Sequence, residues 1–192
     1  MNQSRFVKII DTNARKTVKI KKIDMIEDYI TGKQIPNIGA EENRQKFECF
    51  LLEEKGFLKE DIKVDKQISI DIKGEVYKSK IDLVIEVSET SFMAVKCAAG
   101  SLESRCREII SAARISQKYQ IPYSVVTDGK TAIILDTVTG KTIGKGLDAV
   151  LSKKQAEEQK EKITPLPYPE KKYEREKIIF RSYDSMDVNV VR

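Results

Sequence analysis

Two apolar segments of this chain each carry one charge at their centre. In Lys80-Ile81-Asp82-Leu83-Val84-Ile85 the charge is an acid, and in Met93-Ala94-Val95-Lys96-Cys97 it is a lysine. Segments of this length and composition read as strands buried on both faces, where an unpaired charge costs several kcal/mol. The two charges are therefore expected to meet in a site. Strand period puts Asp82 on one face with Lys80, Val84 and Glu86, and puts Lys96 with Ala94 and Ala98. A fold for this chain must bring those two faces together.

The segments around this pair read in a regular order. Residues 5–23 predict a small basic hairpin, with strands at 6–10 and 17–20 and a turn at 11–13. Residues 24–31 predict a short helix closed by Gly32. A longer helix is expected over 39–55, with Phe47, Phe50 and Leu51 at the centre of its apolar stripe and Gly56 at its end. Segments 62–72, 77–88 and 91–98 predict an antiparallel three-strand meander joined by short polar turns. Ser101 is the expected N-cap of a second helix that runs to about Tyr119, with Leu102, Cys106, Ile109, Ile110 and Ala113 as its stripe. Strands follow at 123–127 and 131–136.

From residue 148 the chain becomes polar. A helix is expected within 148–162, an extended stretch over 163–169 where three prolines fall, and an apolar patch at 178–180. The expected fold class is α+β, an α/β/α sandwich. Its central mixed sheet has one helix before and one after the meander. Residues 1–150 would form this domain with its N-terminal hairpin, and 151–192 a charged C-terminal helix and tail.

Composition narrows the chemistry. The chain has 192 residues, 35 Lys plus Arg against 30 Asp plus Glu, and no histidine. Histidine triads and histidine zinc sites are thereby excluded, so any chemistry must run on carboxylates, lysine and a hard metal ion. The net charge of +5 permits a polyanionic partner without demanding one. The three cysteines, Cys49, Cys97 and Cys106, lack CxxC spacing, which argues against structural zinc and for a reduced, cytoplasmic setting. No apolar run reaches the length of a membrane span, and none follows the first residues as a secretory signal would.

Five ordered segments carry a family resemblance. They are Ile35-Pro36-Asn37-Ile38-Gly39-Ala40-Glu41-Glu42-Asn43-Arg44-Gln45, Tyr77-Lys78-Ser79-Lys80-Ile81-Asp82-Leu83-Val84, Val95-Lys96-Cys97-Ala98-Ala99-Gly100-Ser101-Leu102-Glu103-Ser104-Arg105, Gln120-Ile121-Pro122-Tyr123 and Thr127-Asp128-Gly129-Lys130. Residues 28–150 resemble the N-terminal nuclease-like domain of type I restriction enzyme R subunits, and in particular its short stand-alone relatives. More broadly they resemble the PD-(D/E)xK nuclease fold, a restriction-endonuclease-like architecture.

That resemblance implies a metal-dependent DNA endonuclease of restriction or repair type. Asp82 would be a ligand of Mg²⁺ or Mn²⁺, Lys96 would orient the attacking water or stabilise the phosphate, and the backbone carbonyl of Val95 would be a further ligand. Glu41 would supply a nearby carboxylate. It shares a helix flank with Arg44, whereas Glu42 points to the other side. The family places an acid two residues before the lysine. Ala94 stands there in this chain, which should weaken Mg²⁺ binding. Some relatives in the wider fold carry that acid on the following helix, where Glu103 is the candidate. Glu108, opposite the apolar stripe, is the poorer one.

Lys80, Arg44, Arg105, Arg107 and Arg114 are the expected nucleic-acid contacts, each set against an ordinary solvated role. The implied partners are DNA, restriction-system subunits and a second copy of the chain. Two alternatives stand beside the enzyme. One is a catalytically degenerate DNA-binding or scaffold module of the same fold, for which Ala94 is the motive. The other is an α+β protein whose Asp82–Lys96 pair is structural.

Overall fold

The structure, a computed structural model, describes residues 5–7 and 21–185. Strand β1 (Arg5–Val7) pairs antiparallel with β2 (Lys21–Ile23), Arg5 lying opposite Ile23. The expected turn at 11–13 and strand at 17–20 fall outside the described residues. The short helix expected over 24–31 is instead a hairpin of β3 (Met25–Glu27) and β4 (Gln34–Pro36). Asp28 decides this. Its Oδ1 accepts the Thr31 N–H at 2.6 Å and the Thr31 hydroxyl at 2.8 Å, and Gly32 turns the chain at φ +68°. Such side-chain closure of a turn competes directly with helix formation.

Helix α1 (Glu41–Glu53) follows, and then β5 (Ile62–Ile72), β6 (Glu75–Val87) and β7 (Thr90–Cys97) form the meander. Helix α2 spans Glu103–Ile115, so it starts after Leu102 rather than at Ser101. It leads into β8 (Tyr123–Thr127), β9 (Ala132–Asp136) and β10 (Thr142–Lys145). The six strands form one sheet in the order β10-β9-β8-β7-β6-β5. Only the β7–β8 pair is parallel, because α2 is the crossover between those two strands.

Alternation along the strands divides the core into two layers. Leu83, Ile85, Val95 and Val125 join Phe47, Phe50 and Leu51 of α1 on one face. Val84, Ala94, Val126 and Ile133 join Ile109, Ile110 and Ala113 of α2 on the other. This mixed α+β sandwich is the restriction-endonuclease-like arrangement expected from the order of segments. The polar stretch from 148 also docks on it. Helix α3 (Lys153–Lys160) seats Ala156 in the α1 layer, under a Ser152–Gln155 capping box. Helix α4 (Glu170–Asp184) packs along α2 and buries Phe180 in the other layer.

Polar anchors fix α4. Glu176 is buried and accepts from Arg107 at 3.1 Å, Arg114 at 3.0 Å and the Tyr168 hydroxyl at 2.8 Å. Burial raises its pKa, but these donors outweigh that and hold it below the usual carboxylate range. Asp184 accepts from Ser79 at 2.8 Å and from the Tyr77 hydroxyl. Among the described residues, no helix is long and apolar enough to cross a membrane. Truncating Phe180, which is 1% exposed, should remove both its burial and its packing. Phe180→Ala is expected to cost about 3 kcal/mol or more in urea unfolding; a loss below about 1 kcal/mol would show that α4 is only loosely attached.

Candidate active site

Asp82 sits where the sheet opens. The β5–β6 ladder pairs Val64 with Leu83 and Lys66 with Ile81, stepping over Asp65 and Asp82. On the other side the β6–β7 ladder ends at Leu83 opposite Val95. Asp65 adopts φ +53°, a left-handed conformation that costs a non-glycine residue on the order of 1 kcal/mol or more. The result is a cleft of about 460 Å³ at the end of β7, walled by β4, the start of α1 and the segment entering α2.

Continuing the register by one residue sets Asp82 opposite Lys96. The Asp82 Oδ2 atom accepts the Cys97 N–H at 2.7 Å and lies 3.8 Å from the Lys96 ammonium. The two mid-strand charges therefore do face each other, as their burial requires. Lys96 has a second and closer partner. Glu108 of α2 brings Oε1 to 3.0 Å of the ammonium, and its Oε2 accepts from Arg105 at 3.1 Å. Glu108 is 3% exposed. Burial pushes its carboxyl above the usual range, against the pull of Lys96 and Arg105.

The other expected residues separate into two groups. Glu41, Arg44, Lys80 and Arg105 line the cleft with Asp82 and Lys96. Glu103 does not. It is exposed at the start of α2, where the Ser101 hydroxyl donates to it at 3.4 Å. Arg107 and Arg114 lie on the flank of α2 covered by α4, where Glu176 holds both and the Thr137 carbonyl also accepts from Arg114. They are thus turned away from the cleft. Val95 has a fully buried side chain on the α1 face.

A second charged node braces the wall at α1. Arg44 is buried and reaches three carboxylates: Asp28 at 3.0 Å, Glu41 at 2.8 Å through Nε, and Glu48 at 3.2 Å. Burial lowers the guanidinium pKa, yet the three acids outweigh it and raise it. One cation cannot neutralise three anions. Glu48 absorbs the excess: burial pushes its carboxyl up to about 8, and Oε2 has no hydrogen-bond partner among the described residues. Asn43 ties this helix to the end of β7 by donating to the Ala98 carbonyl at 2.8 Å. Gly129 permits the close approach of the facing loop, since a Cβ there would fall 2.8 Å from the Asn43 carbonyl oxygen.

Among the described residues, no group of three or more His, Cys, Asp and Glu is arranged to hold a metal ion. The carboxylates that line the cleft are Glu41, Asp65 and Asp82, and Asp82 shares the Lys96 ammonium with the buried Glu108 of α2, which is outside that lining. A carboxylate such as that of Asp82 is the ligand type taken by a hard cation such as Mg²⁺, which uses one or two carboxylates and fills its remaining positions with water and phosphate oxygens. Cys97 contributes no thiolate, because complete burial and the neighbouring Asp82 charge keep its pKa well above the usual value.

Residues 39–150 match one family, the Type I restriction enzyme R protein N terminus (HSDR_N). The chain belongs to this family. Asp82, Lys96, Glu108 and the Arg44 node's α1 residues all lie inside the matched span, and membership in the PD-(D/E)xK superfamily is consistent with it. The chain thus carries a restriction-type, nuclease-like module. No curated protein and no solved structure matches the chain.

The Glu48 proton gives this R-protein module a pH signature. The folded state holds that proton more tightly than the unfolded chain, so the associated stability is complete below the usual carboxylate value of 4.5 and is lost as pH rises through about 8. Glu48→Gln has no proton to lose. Urea unfolding across this range should show stability falling less steeply with pH in the variant than in the parent. Parallel curves would contradict the assignment.

Proposed function

We propose that this module hydrolyses DNA phosphodiester bonds with a divalent metal, Mg²⁺ or Mn²⁺, bound at Asp82. The observation that carries this reading is the Asp82–Lys96 pair, set at an opening of the sheet and facing a cleft with further cations. Such a metal, when bound, supplies Lewis-acid stabilisation of the phosphate and lowers the pKa of the attacking water. The chain's own residues would do the rest. The Cys97 N–H fixes the orientation of the Asp82 carboxylate through its Oδ2. Lys96, 9% exposed, presents an ammonium that can hold the water or the developing phosphate charge.

Arg105 and Lys80 stand at the cleft's edge, where they can take flanking phosphates. Glu41 lines the same cleft, but its carboxylate already accepts from Arg44 and from Gln45 at 2.9 Å. Its role is to hold Arg44 rather than to bind the metal alone. The backbone carbonyl of Val95 is the remaining ligand in this reading. DNA is the expected partner, with restriction-system subunits and a second copy of the chain as further ones. A cytoplasmic site of action follows from the same reading.

One observation favours a second reading. Ala94 is fully buried and offers no donor where the family's strand acid would stand. A module that keeps the fold and binds DNA without cutting it would show this feature. Nicking of supercoiled plasmid with Mg²⁺ or Mn²⁺ separates the two. The parent chain should nick, and Asp82→Ala and Lys96→Ala should each lose on the order of 10²-fold or more. Salt-sensitive DNA binding without nicking would support the second reading, and neither binding nor nicking would overturn both.

A further inference from the structure

We infer that the exposed face of the β5–β6 hairpin is a docking surface for duplex DNA, running from the edge of the cleft toward the hairpin turn. The inference rests on the DNA partner of the reading above and adds a surface beyond the cleft itself. Its origin is a half-turn of the hairpin at Asp65 and Asp82. Ile62 and Val64 pack in the α1 layer, yet Ile68, Ile70 and Ile72, which share their parity along β5, pack in the α2 layer. Strand β6 changes in step, with Leu83 and Ile85 in the α1 layer and Tyr77 and Ile81 in the α2 layer. Strict alternation would keep each set on one face. The left-handed Asp65 is where β5 reverses its faces.

Past this point the hairpin has left the sheet, because the ladder with β7 ends at Leu83. It continues as a two-stranded ribbon closed by Lys73 and Gly74, both at positive φ as a tight hairpin turn requires. Helix α4 covers its inner face. Phe180 packs in one layer with the three isoleucines, and Asp184 accepts from Ser79 and Tyr77. The outer face is exposed, and the register sets Gln67 opposite Lys80 and Ser69 opposite Lys78. Lys80 is tethered to Asp65 at 2.8 Å beside the cleft, and Lys78 has no ion-pair partner among the described residues. Asp71, the acid of this face, lies at the turn end, where its Oδ1 accepts the Gly74 N–H at 3.3 Å.

A two-stranded ribbon fits the major groove of B-DNA, where lysines can meet phosphates and Gln or Ser can meet base edges. Two lysines on the half nearer the cleft, and continuity with the cleft through Lys80, select DNA over an apolar partner.

Fluorescence anisotropy of a labelled DNA duplex, titrated at several KCl concentrations, tests this. The proteins to compare are the parent, Lys78→Ala, Lys78→Glu, Ser69→Glu and, just past the far end of α2, Lys118→Glu. Circular dichroism would confirm that each is folded. Lys78→Ala should make the salt dependence shallower by about one in log–log slope. Lys78→Glu and Ser69→Glu should each bind about tenfold or more weakly, whereas Lys118→Glu, with the same charge change as Lys78→Glu, should stay within about twofold of the parent. Parent-like binding by Lys78→Glu or by Ser69→Glu would overturn the inference and leave the DNA reading intact, and so would an equal loss in Lys118→Glu. A parent that binds no duplex would overturn both.

Discussion

The Lys96 ammonium, between the carboxylates of Asp82 and Glu108, is the contact around which this structure is arranged. A buried charge is tolerated only where opposite charge and hydrogen bonds replace its water, and removing one partner of such a set costs about 3–5 kcal/mol. Here the partners come from three elements. Asp82 comes from β6, Lys96 from β7 and Glu108 from α2. The strand opening at Asp65 and Asp82 gives this group access to solvent. The placement of α2 across the sheet gives it a second acid. Both features would be liabilities in a protein that only needed a stable sheet.

The outer elements follow from the same requirement. Helix α2 carries charges on several sides, so it cannot simply rest one face on the sheet and expose the other. Helix α4 covers the flank of Arg107 and Arg114 and meets both with Glu176. The cations left toward the cleft are Lys80, Lys96, Arg44 and Arg105. The polar stretch after residue 148 is therefore part of the architecture that sorts charges between core and cleft, with Phe180 as its apolar anchor. On the opposite side of the sheet, the Arg44 node braces the helix that walls the cleft.

Strand-borne features were legible in the sequence, because a period of two leaves few choices. The strands of the meander and the faces of Asp82, Lys96 and Ala94 follow from alternation, and the cost of burying unpaired charge is what brings Asp82 and Lys96 together. The hairpin at 25–36 was not legible, because residues 24–31 have mixed propensity and are decided by one Asp28 side chain closing a turn. The burial of Glu108 against Lys96 was not legible for a different reason. A helical wheel shows a residue's angle to its own apolar stripe, but not the long arm that Lys96 extends from the neighbouring strand, nor the third layer formed by α4. The wheel likewise made Arg107 and Arg114 look solvent-facing, when a helix from the polar tail covers them. Asp65 gave no signal, since its place beside Asp82 depends on a strand register that a single sequence does not state.

The central proposal is that Asp82 holds a divalent metal beside Lys96. A crystal of the protein soaked in Mn²⁺ and measured for anomalous scattering tests it most directly. The account predicts an anomalous peak in the cleft, in contact with the Asp82 carboxylate. A peak held by Asp65 or Glu41 without Asp82, or no peak in the cleft, would contradict it.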